Sequence, residues 1–134
     1  IRLIALLDTL EYLKKGGRIS KAAAMAGSLL SIKPVIAIQR GEVAILGKAR
    51  GSKQGNNLLA EQIRQTGGID FGKPFVLGYT GLSDAMLRKY IKDHESFWKS
   101  SVDALETSSV GGTIGTHIGP GAIGVAFFSA GDCI

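Results

Sequence analysis

Cysteine is nearly missing from this sequence: Cys133 is the one cysteine among 134 residues. No disulfide can close within the chain and no cysteine-based metal site can be assembled. That composition fits a reducing compartment, so a cytoplasmic protein is expected. No apolar run reaches the roughly 18 residues of a membrane span. The apolar start, residues 1–7, is too short for a signal peptide and lacks a cleavage region. Two distant histidines, His94 and His117, do not make a metal site. Phosphate-loop and nucleophile-elbow patterns are both absent. The glycines of residues 111–121 do not follow a strand and open a long helix, as a dinucleotide site requires. Serine, histidine and aspartate occur at no spacing that brings them together, so a hydrolase with His117 as general base lacks a visible nucleophile. No catalytic residue, metal or cofactor is expected, and there is no linker, repeat or low-complexity tract.

What the chain does have is glycine, 19 residues of it, on an otherwise ordinary background of 45% hydrophobic and 20% charged residues. Glycine is costly to order, so a high count implies tight turns or places where a ligand or another backbone comes close. The length suits one domain with a real core. A formal net charge of +5 favours anionic partners without choosing among nucleic acid, a carboxylate ligand and an acidic protein.

The apolar pattern predicts a strand over residues 2–7 and a short helix over 9–15. Asp8 and Glu11 stand at capping-box spacing before that helix, and Gly16-Gly17 ends it. Ser20 can cap an alanine-rich helix over 21–30, which Lys33-Pro34 would end. The runs 35–38 and 43–46 read as a β-hairpin about Gln39-Arg40-Gly41-Glu42. A helix over 56–65, a strand over 74–79, a helix over 84–92 with Ser83 as cap, a weaker strand over 102–106 and a strongly apolar strand over 123–128 complete the order. The expected fold is a single α+β domain, a mixed or mostly antiparallel sheet with helices packed on one face.

Three constellations could carry chemistry. Gly111 to Gly121 holds five glycines and one proline and reads as a loop shaped by special backbone angles, since helix and strand interiors disfavour both residues. In its middle are the hydroxyl of Thr116 and the imidazole of His117, which can donate, accept or carry charge toward an anion. A ligand loop and an exposed turn with a structural histidine both fit. Lys14-Lys15-Gly16-Gly17-Arg18 puts cations beside the start of the next helix, where anions are favoured. Arg18 is separated from Lys14 and Lys15, which suit solvent. Gly47-Lys48-Ala49-Arg50-Gly51-Ser52-Lys53 is basic without the interleaved aromatics of a nucleic-acid groove. A phosphate, an acidic protein surface and a plain exposed loop fit it equally.

Three separated stretches then agree with one family. Leu10-Glu11-Tyr12-Leu13-Lys14-Lys15-Gly16-Gly17-Arg18-Ile19-Ser20, Ser28-Leu29-Leu30-Ser31-Ile32-Lys33-Pro34 and Thr116-His117-Ile118-Gly119-Pro120-Gly121-Ala122 resemble the DegV family, as does Lys48-Ala49-Arg50-Gly51 between them. The family pattern has a second threonine where this chain has Ile118. The resemblance implies a DegV-like C-terminal domain over residues 1–134, in a fold whose N-terminal domain is absent from this chain. It implies that the ligand is one long-chain fatty acid, whose carboxyl is presented to a fatty acid kinase for acyl-phosphate formation without catalysis by the binder. By the same resemblance His117, Thr116, Arg18, Gly119 and Gly121 would surround the carboxylate, and Arg50 would face the kinase. The helix over 21–30 and the strand over 123–128 are candidates for the wall around the acyl chain. The alternative is a basic nucleic-acid or protein interaction module built on the charge around Arg50.

Overall fold

The computed structural model describes residues 1–18, 32–98 and 105–131. Its elements run β1 Arg2–Leu6, α1 Glu11–Lys15, β2 Ile32–Gln39, β3 Glu42–Arg50, α2 Gly51–Gln65, β4 Val76–Tyr79, α3 Ala85–Asp93, α4 Glu95–Trp98, β5 Thr107–Ser109, α5 Gly112–Ile118 and β6 Ile123–Phe127. The strands form one six-stranded sheet in the order β3-β2-β1-β6-β4-β5. Every neighbouring pair is antiparallel except β4 and β5, so the sheet is mixed and mostly antiparallel, as the apolar pattern predicts.

Successive side chains in a strand point to opposite faces, and this sheet uses both. Ile4, Leu6, Val35, Leu77, Ile123, Val125 and Phe127 face one way and meet Leu59 and Ile63 of α2, Leu87, Tyr90 and Ile91 of α3, and Trp98 of α4. Ala5, Leu7, Ile36 and Ala122 face the other way and meet Leu10, Leu13 and Ile118. The expectation of helices on one face therefore holds for α2, α3 and α4, which cover the larger core. The short α1 and α5 stand on the opposite face and, among the described residues, cover part of it.

Several boundaries differ from the sequence reading for local reasons. The hairpin is longer than its apolar runs: β2 and β3 pair from Ile32↔Arg50 to Gln39↔Glu42, so Lys33-Pro34 lies inside a strand. The turn is the two residues Arg40 and Gly41, both with positive φ (54° and 78°), the geometry that matches strand twist in tight hairpins. The expected capping box does not form. Thr9 Oγ1 accepts the Glu11 amide instead, while Asp8 forms an ion pair with Lys33 of β2. The helix read over 56–65 starts earlier, at Gly51, whose φ of 76° turns the chain out of β3. Most of the glycine-rich stretch read as a loop is the helix α5. Its glycine cost of about 1 kcal/mol per residue is opposed by packing of Ile118 into the smaller core. The helix expected over 21–30 and most of the strand expected over 102–106 lie outside the described residues.

Leu77 is fully buried at the centre of the larger core, whereas Leu82 is fully exposed on the β4–α3 connection. Leu77→Ala is expected to cost about 2–5 kcal/mol through lost transfer energy and a cavity. Leu82→Ala is expected to stay within about 0.5 kcal/mol. Urea unfolding of the two variants beside the unsubstituted protein checks the contrast.

Candidate functional site

The face of the sheet that α1 and α5 stand on carries the site. Along β6 the residues facing α2 and α3 are large, Ile123, Val125 and Phe127, while those facing the other way are Ala122, Gly124 and Ala126. Gly124 pairs with Ala5 of β1 on one side and with Gly78 of β4 on the other. Ala5, Gly78, Ala122 and Gly124 form the floor, and α1 and α5 the banks, of a groove of about 400 Å³. Its walls are apolar, including Leu3 and Ile38 from the strands, Leu13 from α1, and Val110, Ile114 and Ile118 around α5. The polar residues on its lining are Arg18, Tyr79, Thr80 and His117.

The end of the groove that holds His117 is built by close interlocking of α1 with the turn after α5. Gly119 and Gly121 have φ of 80° and 79°, a conformation glycine adopts without a Cβ penalty. A Cβ on Gly119 would stand 2.3 Å from Tyr12 Cδ2, so the Tyr12 ring occupies the space that the missing side chain leaves. A Cβ on Gly16 would stand 2.8 Å from His117 Nδ1, so the glycine ending α1 makes room for the imidazole. That Nδ1 is buried and has no hydrogen-bond partner among the described residues.

Thr80 pins the turn from below. Its hydroxyl, buried with the rest of the residue, donates to the Gly119 carbonyl at 2.6 Å and accepts the Ala122 amide at 2.9 Å. The Gly121 amide also donates to the Thr80 carbonyl, and the Thr80 amide to the Ala122 carbonyl, both at 3.1 Å. Arg18 follows the α1 terminus. Its Nη1 donates to the Gly16 carbonyl at 3.1 Å, and the side chain borders the groove while staying exposed.

The sequence-derived site thus separates into three groups. Arg18 and His117 line one groove. Gly119 and Gly121 shape the turn beside it. Thr116 and Arg50 lie outside its lining: the Thr116 hydroxyl donates at 2.7 Å to the Gly112 carbonyl within α5, and Arg50 is exposed where β3 passes into α2, its amide donating to Gln54 Oε1 at 3.3 Å. Thr80 and Tyr12, which hold the turn, escaped the sequence reading. A threonine after a short strand gives no separate signal, and Tyr12 is placed by a contact more than a hundred residues away. Among the described residues no group of three or more His, Cys, Asp or Glu could hold a metal ion, and no helix is long and apolar enough to cross a membrane.

Thr80→Val keeps the shape of the side chain but leaves a buried carbonyl and a buried amide without their partner. The expected loss is about 1–3 kcal/mol. Faster hydrogen exchange at the Ala122 amide, with the α2–α4 core still protected, is the measurement that locates the damage.

The family model described as "Uncharacterised protein, DegV family" matches residues 1–130. A DegV domain-containing protein of Clostridium perfringens is 38% identical over 124 residues, which is 90% of this chain and 42% of that protein. The chain thus spans less than half the length of the curated relatives it matches. Among solved structures, the fatty acid binding DegV family protein of Streptococcus agalactiae is 30% identical with a TM-score of 0.67, covering 92% of this chain and 43% of that one. The Fatty Acid Kinase (Fak) B3 protein of Streptococcus pneumoniae, solved loaded with linoleic acid, shares the fold with a TM-score of 0.77 at 21% identity, covering 94% of this chain and 43% of that one. With a family match running through all but the last few residues and a shared fold behind it, the chain belongs to the DegV family.

Proposed function

We propose that this chain supplies one wall of a site for a single long-chain fatty acid, with His117 and Arg18 at the carboxylate end. The observation that carries the reading is the groove itself: apolar along its length, with an imidazole and a guanidinium on its lining. Each buried methylene of an acyl chain contributes about 0.8 kcal/mol. A carboxylate drawn out of water needs charge-assisted hydrogen bonds, or it is driven toward its neutral form. The fatty-acid binding named for the Streptococcus agalactiae relative supports the same ligand.

In this reading the chain is the C-terminal domain of a longer protein whose N-terminal domain closes the groove. Leu3 and Ile38, both on the groove lining, are more than 40% exposed, an apolar surface suited to such cover. The protein acts as a binder that presents the carboxylate to a fatty acid kinase. There a carboxylate oxygen attacks the terminal phosphorus of a nucleoside triphosphate, giving the acyl phosphate and the diphosphate. The name of the Streptococcus pneumoniae neighbour supports the kinase partnership. Arg50, exposed and outside the groove, is assigned to the kinase surface.

The full-length protein, purified and denatured, is expected to release a fatty acid identifiable by mass spectrometry. A protein that carries no lipid, and takes up none when offered, would refute the reading. His117→Ala is expected to reduce fatty-acid retention by about tenfold or more, the scale of one lost charge-assisted bond. Lys15→Ala is the matched control, because Lys15 is exposed and engaged with Glu11 at 2.9 Å. Equal effects would count against the assignment of His117. Arg50→Ala is expected to leave retention unchanged while raising the KM for the binder in the kinase assay, which separates partner contact from ligand contact.

A further inference from the structure

Among the described residues Leu82 is the most exposed large apolar side chain. It stands on the connection between β4 and α3, outside both cores and outside the lining of the groove. A lone leucine in water calls for no explanation. This one stands on a connection that is held on both sides. Before it, the buried Thr80 hydroxyl donates to the Gly119 carbonyl and accepts the Ala122 amide. Gly81, with a φ of 97°, rests on the same turn: a Cβ there would meet Pro120 Cβ at 3.4 Å. After it, Ser83 Oγ accepts the Ala85 amide at 3.1 Å, and Arg88 Nε donates to Asp84 Oδ2 at 2.9 Å. Pro120 and Ala85 are exposed, and Met86 is half-buried with its Sδ 3.6 Å from where a Cβ on Gly121 would stand. Leu82 thus belongs to an apolar patch beside the turn that follows His117.

The sheet register puts this patch at the same end as Arg50. Tyr79, Ile123, Leu6, Val35 and Gly47 form one row across five strands. Leu82 follows Tyr79 by three residues, and Arg50 follows Gly47 by three. Four antiparallel steps separate β3 from β4, so the two strands run toward the same end. The His117 end of the groove is that end too, since the turn at Gly119 to Gly121 is bonded to Thr80 and leads into Ile123. Four strand spacings of about 4.8 Å each set β3 and β4 about 19 Å apart. An interface of standard size, about 800 Å² on each partner, is broad enough to take in both Leu82 and Arg50.

A kinase that phosphorylates a carboxylate held near His117 has to bring its nucleotide to this end of the sheet, so its surface meets the residues that frame it. Resting on that kinase reading, we propose that Leu82 is the apolar anchor of the surface on which the kinase docks, with Arg50 as its charged contact on the same sheet end. The partner chemistry is then an apolar pocket for Leu82 and an acidic group about 19 Å away, four strand spacings off. The N-terminal domain of the proposed full-length protein closes the groove over Leu3 and Ile38, and Leu82 is not on that lining. A bilayer suits the patch less well. Asp84 and Arg88, the charges next along the chain, are paired with each other, and residues 74–87 hold no lysine or arginine. Segments that lie in a membrane surface surround their apolar residues with cations. Because the connection is already held, docking orders little of it. Full burial of a leucine side chain strengthens association by about 10- to 100-fold.

The test uses the full-length protein loaded with cis-9-octadecenoate, ATP and the fatty acid kinase of the same organism, and compares Leu82→Ala, Leu82→Met and Leu82→Asp with the unsubstituted protein. Leu82→Ala is expected to raise the KM for the loaded binder about tenfold. Its kcat, fatty-acid retention and melting temperature are expected to stay unchanged. Leu82→Asp is expected to raise KM further, because it places a charge in the apolar pocket. Leu82→Met, which keeps the apolar volume, is expected to fall between Leu82→Ala and the unsubstituted protein. Adding Arg50→Ala to Leu82→Ala is expected to multiply the two single effects, since residues so far apart act independently. An unchanged KM in Leu82→Asp overturns this inference and leaves the kinase reading standing. Slower fatty-acid uptake from phosphatidylcholine vesicles by that variant, at normal KM, overturns it in favour of a bilayer contact. Weaker retention or a lower melting temperature in Leu82→Ala, at normal KM, overturns it by seating Leu82 against the rest of the protein. Failure of the kinase to phosphorylate an unsubstituted protein that retains the acid overturns the kinase reading and this inference together.

Discussion

β6 lies between β1 and β4, and its two faces serve different neighbours. Toward α2 and α3 it must fill a core, and it does so with Ile123, Val125 and Phe127. Toward the groove it must stay out of the way, and there the lining holds Gly124, with Ala122 just before the strand. Because the side-chain period of a strand is two, a slip of one residue would exchange these sets, crowding the groove and hollowing the core together. The stability of the domain and the existence of its groove therefore rest on the same register, set by the ladder from Arg2↔Phe127 to Leu6↔Ile123.

The polar end depends on a second, smaller constraint. Gly119 and Gly16 each lack the atom that would collide with a ring from the other segment, Tyr12 in one case and His117 in the other. Thr80 satisfies the turn from the sheet side with two hydrogen bonds in the interior, where an unmet polar group is costly. Three distant parts of the chain thus agree on one position for the imidazole.

How much of this was legible beforehand follows from what kind of interaction is involved. The sheet elements were readable because alternation and apolar runs are local signals, and the hairpin because Arg40-Gly41 is a local turn. Arg18 and His117 were singled out by their glycine settings, and the structure brings them to one groove. Thr116 stood beside His117 in sequence but turns into the backbone of α5, because one helical step points neighbouring side chains about 100° apart. The helix α5 itself was hidden by propensity, since its support comes from packing against α1 and the sheet. Thr80 and Tyr12 are set by contacts between residues far apart in the chain, and no local pattern encodes those.

The strand order has a consequence for synthesis. Within this domain β1 is made well over a hundred residues before β6, yet the two are neighbours at the middle of the sheet. Until β6 is made, the β1–β2–β3 ribbon and β4 have no strand between them, and the ring-against-glycine interlock has no second partner. Closing contacts over so long a separation carries a large loop-closure entropy. The nascent chain must therefore hold an unpaired strand edge and an open apolar surface until β6 is translated, which makes this arrangement one that benefits from a chaperone during translation.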